Sequence, residues 1–438
     1  MSVDEKRVAP CAAVRGNVRV SGDKSISHRL AMLAAVAEGR SVIHGFLQSS
    51  DCLNTLRAMQ TLGAAVEWHG PVLSIHGTGG KLRQPGAPLD LGNSGTGMRL
   101  LTGLLAGYDL PCELSGDESL LSRPMGRIRD PLAEMGAQVD LLGATGCGPV
   151  RLHGGRLKAI AYELPVASAQ VKSCVLLAGL RADGRTRVIE PRPSRDHTER
   201  LLGALGVDLD VNGPVIELAG GQALRAAEHA GEWTVPGDFS SAAFWMTAAA
   251  CRPGSEVTVR DVGLNPRRTA LAEVLSEMGA GVARVVSRDA GWESVGDLRV
   301  SGSRLRASTV GGDRIPNLID ELPLVAVAGA LGEGRTVIRD AAELRVKESD
   351  RIATTARLLR AFGIEVEERA DGMTVTGCGG RLPSTPSSVD SGGDHRIAMA
   401  AAVLATMAAG VVTIAPVGCV DTSYPAFWDD LASLCRPS

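Results

Sequence analysis

The sequence predicts an α/β protein of two similar domains, each built from three copies of a β-α-β-α-β-β unit. Three observations carry this. One phrase recurs along the chain at near-constant spacing, one hexapeptide returns three units later, and 438 residues with 44% apolar and 22% charged side chains suffice for two ordinary cores.

The recurring phrase is MQTLGAAV at Met59–Val66, LAEMGAQV at Leu132–Val139, LGALGVDL at Leu202–Leu209, LSEMGAGV at Leu275–Val282 and LRAFGIEV at Leu359–Val366. Each copy reads as the end of an amphipathic helix, a glycine that caps it in the left-handed region, and a strand. Gly63, Gly136, Gly206, Gly279 and Gly363 are separated by 73, 70, 73 and 84 residues, and a truncated sixth copy, Leu431–Cys435, follows. Most copies lead into a strand that closes on glycine, at Gly77, Gly154, Gly302 and Gly377. Earlier in each unit stands a small-residue helix and then a strand such as Arg40–His44, Thr186–Glu190 or Thr336–Arg339.

The higher-order duplication is VSGDKS at Val20–Ser25 against VPGDFS at Val235–Ser240, an offset of 215 residues, or three units. It places residues 1–22 with 239–438 in one domain and 23–238 in the other, with the chain crossing near Gly22 and again near Gly237. Two crossings make a hinge, and a hinge implies a cleft between the domains, where the active site is expected.

Composition removes several function classes. Basic side chains number 46 against 49 acidic, a net charge of −3, so no global field favours nucleic acid or an anionic membrane. The start, MSVDEKR, carries acids and no following apolar run, which fits neither a secretory signal nor a transit peptide; a cytoplasmic protein is expected. The uncharged stretch Ile397–Val420 is broken by Gly410, Pro416 and Gly418 and reads as a buried helix and strand, not a membrane span. Nine scattered cysteines without CxxC read as reduced core thiols, and eight histidines without HExxH give no metal site. Gly92–Gly97 (GNSGTG) is neither a Walker A nor a dinucleotide-binding loop, so no nucleotide cofactor is expected.

Chemistry-bearing residues gather at the first-helix starts, near Lys24, Asn93, Ser168, Asp238, Asp320 and Asp394. Capping of free N–H groups explains Ser, Asn or Asp at any one start. It does not explain the accompanying Lys24, Arg29, Arg99 and Arg396, because a cation there opposes the helix macrodipole. A bound anion reconciles the two. Loops Ser122–Arg127, Ser194–Glu199 and Leu344–Arg351 add further cations, and together these suggest a small substrate with more than one negative charge. Asp320 and Glu348, carboxylates among cations, are candidates for acid–base work, with structural ion pairing as the alternative.

In order, GDKSISHR at Gly22–Arg29, LGNSGTGMR at Leu91–Arg99, RPMG at Arg123–Gly126, SAQ at Ser168–Gln170, Gly237–Asp238, RVKESDR at Arg345–Arg351 and DHR at Asp394–Arg396 closely resemble the 5-enolpyruvylshikimate-3-phosphate synthase family. The resemblance covers the whole chain, and Ala169 with SRDHT at Ser194–Thr198 is similar to the bacterial class II branch. It implies two inside-out barrel domains of three units each. It also implies transfer of the enolpyruvyl group of phosphoenolpyruvate to the 5-hydroxyl of shikimate 3-phosphate by a monomer, without metal or cofactor. By family motif, Lys24, Ser25, Arg29, Ser168, Ala169, Gln170, Arg195, Asp320 and Lys347 would hold shikimate 3-phosphate. Lys24, Asn93, Gly95, Arg123, Gln170, Arg351 and Arg396 would hold phosphoenolpyruvate. Asp320, Glu348 and Lys24 would be catalytic, and His28 gains only a structural role.

Departures exist. A lysine that many members carry near the C-terminus is absent, leaving Thr422 or Ser423 in Asp421–Pro425, and Leu100 stands where the other branch has proline. Gly95 leaves room where glyphosate competes with phosphoenolpyruvate, which implies sensitivity. The alternatives are a UDP-N-acetylglucosamine enolpyruvyl transferase and a non-catalytic sugar-phosphate binder. The first mostly uses a loop cysteine, and Gly116–Gly126 has none, with Cys112 lying before it; the second would not need both carboxylates.

Overall fold

The computed structural model describes residues 4–226, 231–289 and 291–435. Two compact units divide the chain: residues 1–21, 236–289 and 293–438 form a discontinuous unit, and residues 22–235 with 290–292 form a central one.

One sheet pattern serves nearly every repeat. In the second, strand Leu89–Asp90 runs parallel to Cys112–Ser115, which pairs antiparallel with Val150–His153, and Gln138–Leu141 closes the far edge. A parallel pair needs a crossover, here helix Gly95–Ala106, and a second helix, Gly126–Met135, leads into the closing hairpin. The third repeat orders strands Ala161–Glu163, Arg185–Ile189, Val215–Ala219 and Leu209–Asn212 in the same way. So does the fifth, with Thr309–Val310, Arg335–Ile338, Gly372–Thr376 and Val366–Arg369.

The remaining sheets borrow a strand. Glu232–Thr234 pairs parallel with Arg40–His44 to complete the first repeat, and Arg15–Val18 pairs parallel with Glu256–Gly263 to complete the fourth. Each crossing of the chain therefore leaves behind the edge strand its unit requires. The truncated sixth repeat has three strands, Ser388–Asp390, Val412–Ala415 and, from the start of the chain, Lys6–Val8.

Inside these sheets lie the first helices of the repeats. Helices Phe239–Ala250 and Leu322–Leu331 bury every side chain, which a helix apolar all round must do. Leu322–Leu331 packs on Phe239–Ala250 and on His395–Ala405; in the central unit Gly95–Ala106 packs on Ala169–Gly179 and on Lys24–Val36. Every Leu or Val so buried contributes about 1.5–3 kcal/mol. The apolar stretch at the C-terminus is helix His395–Ala405 and strand Val412–Ala415, and among the described residues no helix is long and apolar enough to cross a membrane.

The glycines of the repeat have two jobs. Gly63, Gly136, Gly206, Gly279 and Gly363 all have φ between 79° and 111°, the left-handed region that ends the preceding helix. The strand-closing glycines solve a different problem, close approach. A Cβ on Gly77 would stand 2.0 Å from the carbonyl oxygen of Ala37, and one on Gly302 would stand 1.9 Å from that of Arg252. Each therefore lets a sheet run directly against the end of its own inner helix.

His28, buried on helix Lys24–Val36, meets Thr55 Oγ1 at 2.8 Å through Nδ1 and Ser94 Oγ at 3.3 Å through Nε2. Burial first, then Lys24 and Arg29, hold its pKa well below the ordinary 6.5.

Two outcomes follow from this packing. Gly77→Ala and Gly302→Ala each lose about 2–4 kcal/mol of stability by overpacking against backbone, read from the denaturant midpoint; a loss under about 0.5 kcal/mol refutes the close-approach account. For His28 the folded pKa is depressed, so the unfolded chain takes up a proton that the folded one refuses. Its contribution is complete above pH 6.5 and falls as pH drops below that value. His28→Asn should flatten the acid-side slope of Tm against pH relative to wild type, and an unchanged slope contradicts the assignment.

Candidate active site

The N-caps of the six inner helices are Asp23, Ser94, Ser168, Asp238, Glu321 and Asp394, and all but Glu321 accept a backbone N–H of the first turn. Three of these differ by one residue from the starts read in the sequence. Asn93 and Asp320 precede their caps and Lys24 follows its own, so none of these three side chains is spent on capping.

In the central unit, Asn93, Gly95, Arg123 and Gln170 fall in one cluster. Arg123, 5% exposed, donates from Nη2 to Asn93 Oδ1 at 2.5 Å and to Ser119 Oγ at 3.2 Å, while Asn93 Nδ2 donates to Asp117 Oδ2 at 2.8 Å. Gln170 is fixed at both ends, accepting from Arg99 Nη1 at 2.7 Å and donating to Thr96 Oγ1 at 3.0 Å. Gly95 opens helix Gly95–Ala106, and a Cβ there would lie 3.0 Å from Arg99 Nη1 and 3.1 Å from Arg123 Nη1. Two guanidinium groups thus converge on one bare backbone position beside a helix N-terminus, the arrangement that suits a carboxylate or phosphate.

A second group surrounds Arg29. Its Nε donates to Thr198 Oγ1 at 2.7 Å, Nη2 to Ser173 Oγ at 2.8 Å and Nη1 to Ser25 O at 2.9 Å. Arg29 is thus buried and engaged within the protein. Lys24 pairs with Asp51, Nζ to Oδ2 2.5 Å, and Ser168 caps Val171 at 3.4 Å with Ala169 next to it. Arg195 lies half-buried in the loop before helix His197–Ala204.

In the discontinuous unit, one buried guanidinium organises the rest. Arg351 reaches Asp394 Oδ2 through Nε at 2.9 Å, Glu348 Oε2 through Nη2 at 2.6 Å and Asp320 Oδ1 through Nη1 at 3.3 Å. Burial alone would lower the pKa of Arg351, but Asp394, Glu348 and Asp320 outweigh it and raise the value. Asp394 shows the converse: burial would raise it, yet Arg351 and His395 hold it below 3.8. Removing one member of such a buried pair costs about 3–5 kcal/mol. Arg396 adds a second cation at Asp320, donating to its backbone oxygen at 3.1 Å and standing 3.5 Å from its Oδ2. Burial lowers the pKa of Lys347 against the opposing pull of Glu343, Asp320 and Glu348.

Near the C-terminus the hydroxyl of Thr422 donates to Cys419 O at 2.7 Å, whereas that of Ser423 is buried without a hydrogen-bond partner among the described residues. Cys112 is buried in strand Cys112–Ser115 with burial pushing its thiol up to about 11, unsuited to act as a nucleophile. Among the described residues no His, Cys, Asp or Glu group is placed to hold a metal ion.

Sequence reasoning missed the partners. Arg99 and Thr198 stood in quoted motifs without an assigned substrate, yet Arg99 fixes Gln170 and Thr198 accepts from Arg29; Asp51 and Ser173 carry no local signal, since only the fold brings them to Lys24 and Arg29.

A family model described as EPSP synthase (3-phosphoshikimate 1-carboxyvinyltransferase) matches residues 8–431. A protein of Akkermansia muciniphila named 3-phosphoshikimate 1-carboxyvinyltransferase is 50% identical over 432 residues, covering 96% of this chain and 98% of the relative. An EPSP synthase structure from Acinetobacter baumannii superimposes with a TM-score of 0.84 at 42% identity, covering 98% of each chain. The enolpyruvyl transferase NikO of Streptomyces tendae, at 20% identity and a TM-score of 0.73 over 98% of this chain and 96% of its own, shares the fold.

Proposed function

This chain belongs to the EPSP synthase (3-phosphoshikimate 1-carboxyvinyltransferase) family, and we propose that it transfers the enolpyruvyl group of phosphoenolpyruvate to the 5-hydroxyl of shikimate 3-phosphate, releasing phosphate. The observation that carries the acid–base reading is the single buried guanidinium of Arg351 holding both Asp320 and Glu348. A cation at that distance stabilises the carboxylate form that Asp320 needs to accept a proton and that Glu348 takes once it has given one up.

The reaction is an addition followed by an elimination. Asp320 takes the proton of the 5-hydroxyl as its oxygen bonds to C2 of phosphoenolpyruvate, while the C3 methylene gains a proton from Glu348. The product of this step is a tetrahedral phosphate-bearing intermediate. A proton then returns from the new methyl group to Glu348, the bond from C2 to the phosphate oxygen breaks, and phosphate leaves with the proton that Asp320 had taken. Cations fixed before the reaction stabilise the developing charge without reorganising, which is the term that usually dominates such catalysis.

Lys24, Ser25, Arg29, Ser168, Ala169, Gln170, Arg195 and Lys347 hold shikimate 3-phosphate, with Asp320 at its hydroxyl. Lys24, Asn93, Gly95, Arg123, Gln170, Arg351 and Arg396 hold phosphoenolpyruvate, Lys24 serving both substrates. The enzyme acts as a cytoplasmic monomer, a setting that suits nine unpaired cysteines. Enolpyruvyl transfer to UDP-N-acetylglucosamine is not favoured, since the family match runs over residues 8–431 and burial raises the Cys112 thiol to about 11.

Phosphate release assayed with shikimate 3-phosphate and, in parallel, with UDP-N-acetylglucosamine tests the substrate: turnover with the first alone is expected. Glu348→Gln and Asp320→Ala should each lose about 10²–10⁴-fold in kcat with circular dichroism unchanged, and near-normal turnover in either overturns that residue's role. Gly95→Ala displaces Arg123 and raises KM for phosphoenolpyruvate about tenfold, ~1.4 kcal/mol. Glyphosate should inhibit wild type with a constant near or below that KM; a constant far above it contradicts the use of this position.

A further inference from the structure

The interior of the central unit contains a charged group that the reaction does not use. Lys172, wholly buried in the first turn of helix Ala169–Gly179, stands 3.1 Å from Glu190 Oε2 and 2.7 Å from Glu199 Oε1, both carboxylates almost wholly buried. A lysine at that position opposes the helix dipole, and two carboxylates near a helix start reverse the sign of the local charge. Ion pairing alone is a weak reason to bury three charges, because their desolvation cancels most of what the pairing returns.

What the group grips is more telling. Every polar atom of Ser194 is tied to it: Glu190 Oε1 accepts from Ser194 N at 3.1 Å and also from its hydroxyl, and Lys172 Nζ donates to Ser194 O at 3.4 Å. Ser194 is the residue directly before Arg195. Lys172 itself lies two residues after Gln170, and Glu199 lies on helix His197–Ala204 beside Thr198, which receives the Arg29 Nε hydrogen bond. One ammonium thus joins the helix that begins at Ser168, the loop that carries Arg195 and the helix that anchors Arg29.

We infer that Lys172, with Glu190 and Glu199, is a positioning residue that sets Arg195 relative to Ser168–Gln170 and so fixes the site for shikimate 3-phosphate. The inference rests on the reading above that these residues hold that substrate. A shift of about 1 Å in such a group costs on the order of 100-fold.

Steady-state kinetics of Lys172→Met, and of Lys172→Met combined with Glu199→Gln to relieve the unpaired charge, test it, with Lys172→Arg as the conservative rescue and Arg195→Ala as the control. Expected is a rise of about 10- to 100-fold in KM for shikimate 3-phosphate in the single and double variants, with KM for phosphoenolpyruvate within twofold of wild type. Lys172→Arg should recover most of the loss. A folded double variant with unchanged KM for shikimate 3-phosphate overturns the inference, as does an equal rise in both KM values, which marks a merely structural role. Arg195→Ala separates the two levels. If it leaves KM for shikimate 3-phosphate unchanged, the substrate reading of the loop fails and the inference falls with it; if it raises that KM while the Lys172 variants do not, the inference alone fails.

Discussion

A helix packed inside a domain still begins with backbone N–H groups that have no partner inside it, and the described residues repeat that situation six times. Most of the inner helices answer it with a side-chain cap, from Asp23, Ser94, Ser168, Asp238 and Asp394. A cap satisfies one or two of these donors and leaves the dipole aimed outward. Everything polar that the chain does follows from that remainder. Cations that would be unfavourable on an isolated helix, such as Lys24 and Arg396, become tolerable when carboxylates such as Asp51 and Asp320 hold them in place.

Each unit contributes three of these six starts, and the polar groups beside them are arranged differently. In the central unit three guanidinium groups hold neutral partners, Arg123 holding Asn93, Arg99 holding Gln170 and Arg29 holding hydroxyls and a carbonyl, while Lys24 pairs with Asp51. In the discontinuous unit the cations are paired directly with carboxylates, three of them on Arg351. Guanidinium groups on neutral partners keep charge to offer an anion, and the carboxylates gathered on Arg351 can exchange protons.

Much of this was legible in the sequence because the repeat carries its own punctuation. The left-handed glycines and the strand-closing glycines mark both ends of the second helix and the hairpin, so the order of elements could be read without a partner. Strand exchange was less legible. Nothing local marks Lys6–Val8 as the third strand of the sixth repeat or Glu232–Thr234 as an edge of the first, since pairing between distant segments leaves no periodicity. The same holds for the site. Motif residues were found because polar residues at helix starts are conspicuous, and the one-residue offset at Asn93 and Asp320 was not, because Ser94 is as good a cap as Asn93 and because Glu321, which makes no side-chain cap, is a poorer one on paper than Asp320. Buried partners such as Thr198, Asp51 and Lys172 read as ordinary helix residues until the fold brings their counterparts within reach.

The borrowed strands also impose an order in time. The central unit is nearly one uninterrupted segment, and its last sheet edge, Glu232–Thr234, is present once the chain has grown a little past its midpoint. The other unit needs Lys6–Val8 together with Val412–Ala415, and the whole central segment lies between the two. Domains form as units and the earlier one first. From the completion of Glu232–Thr234 until Val412–Ala415 is made, then, strand Lys6–Val8 trails unpaired ahead of a finished neighbour, waiting for a partner that does not yet exist.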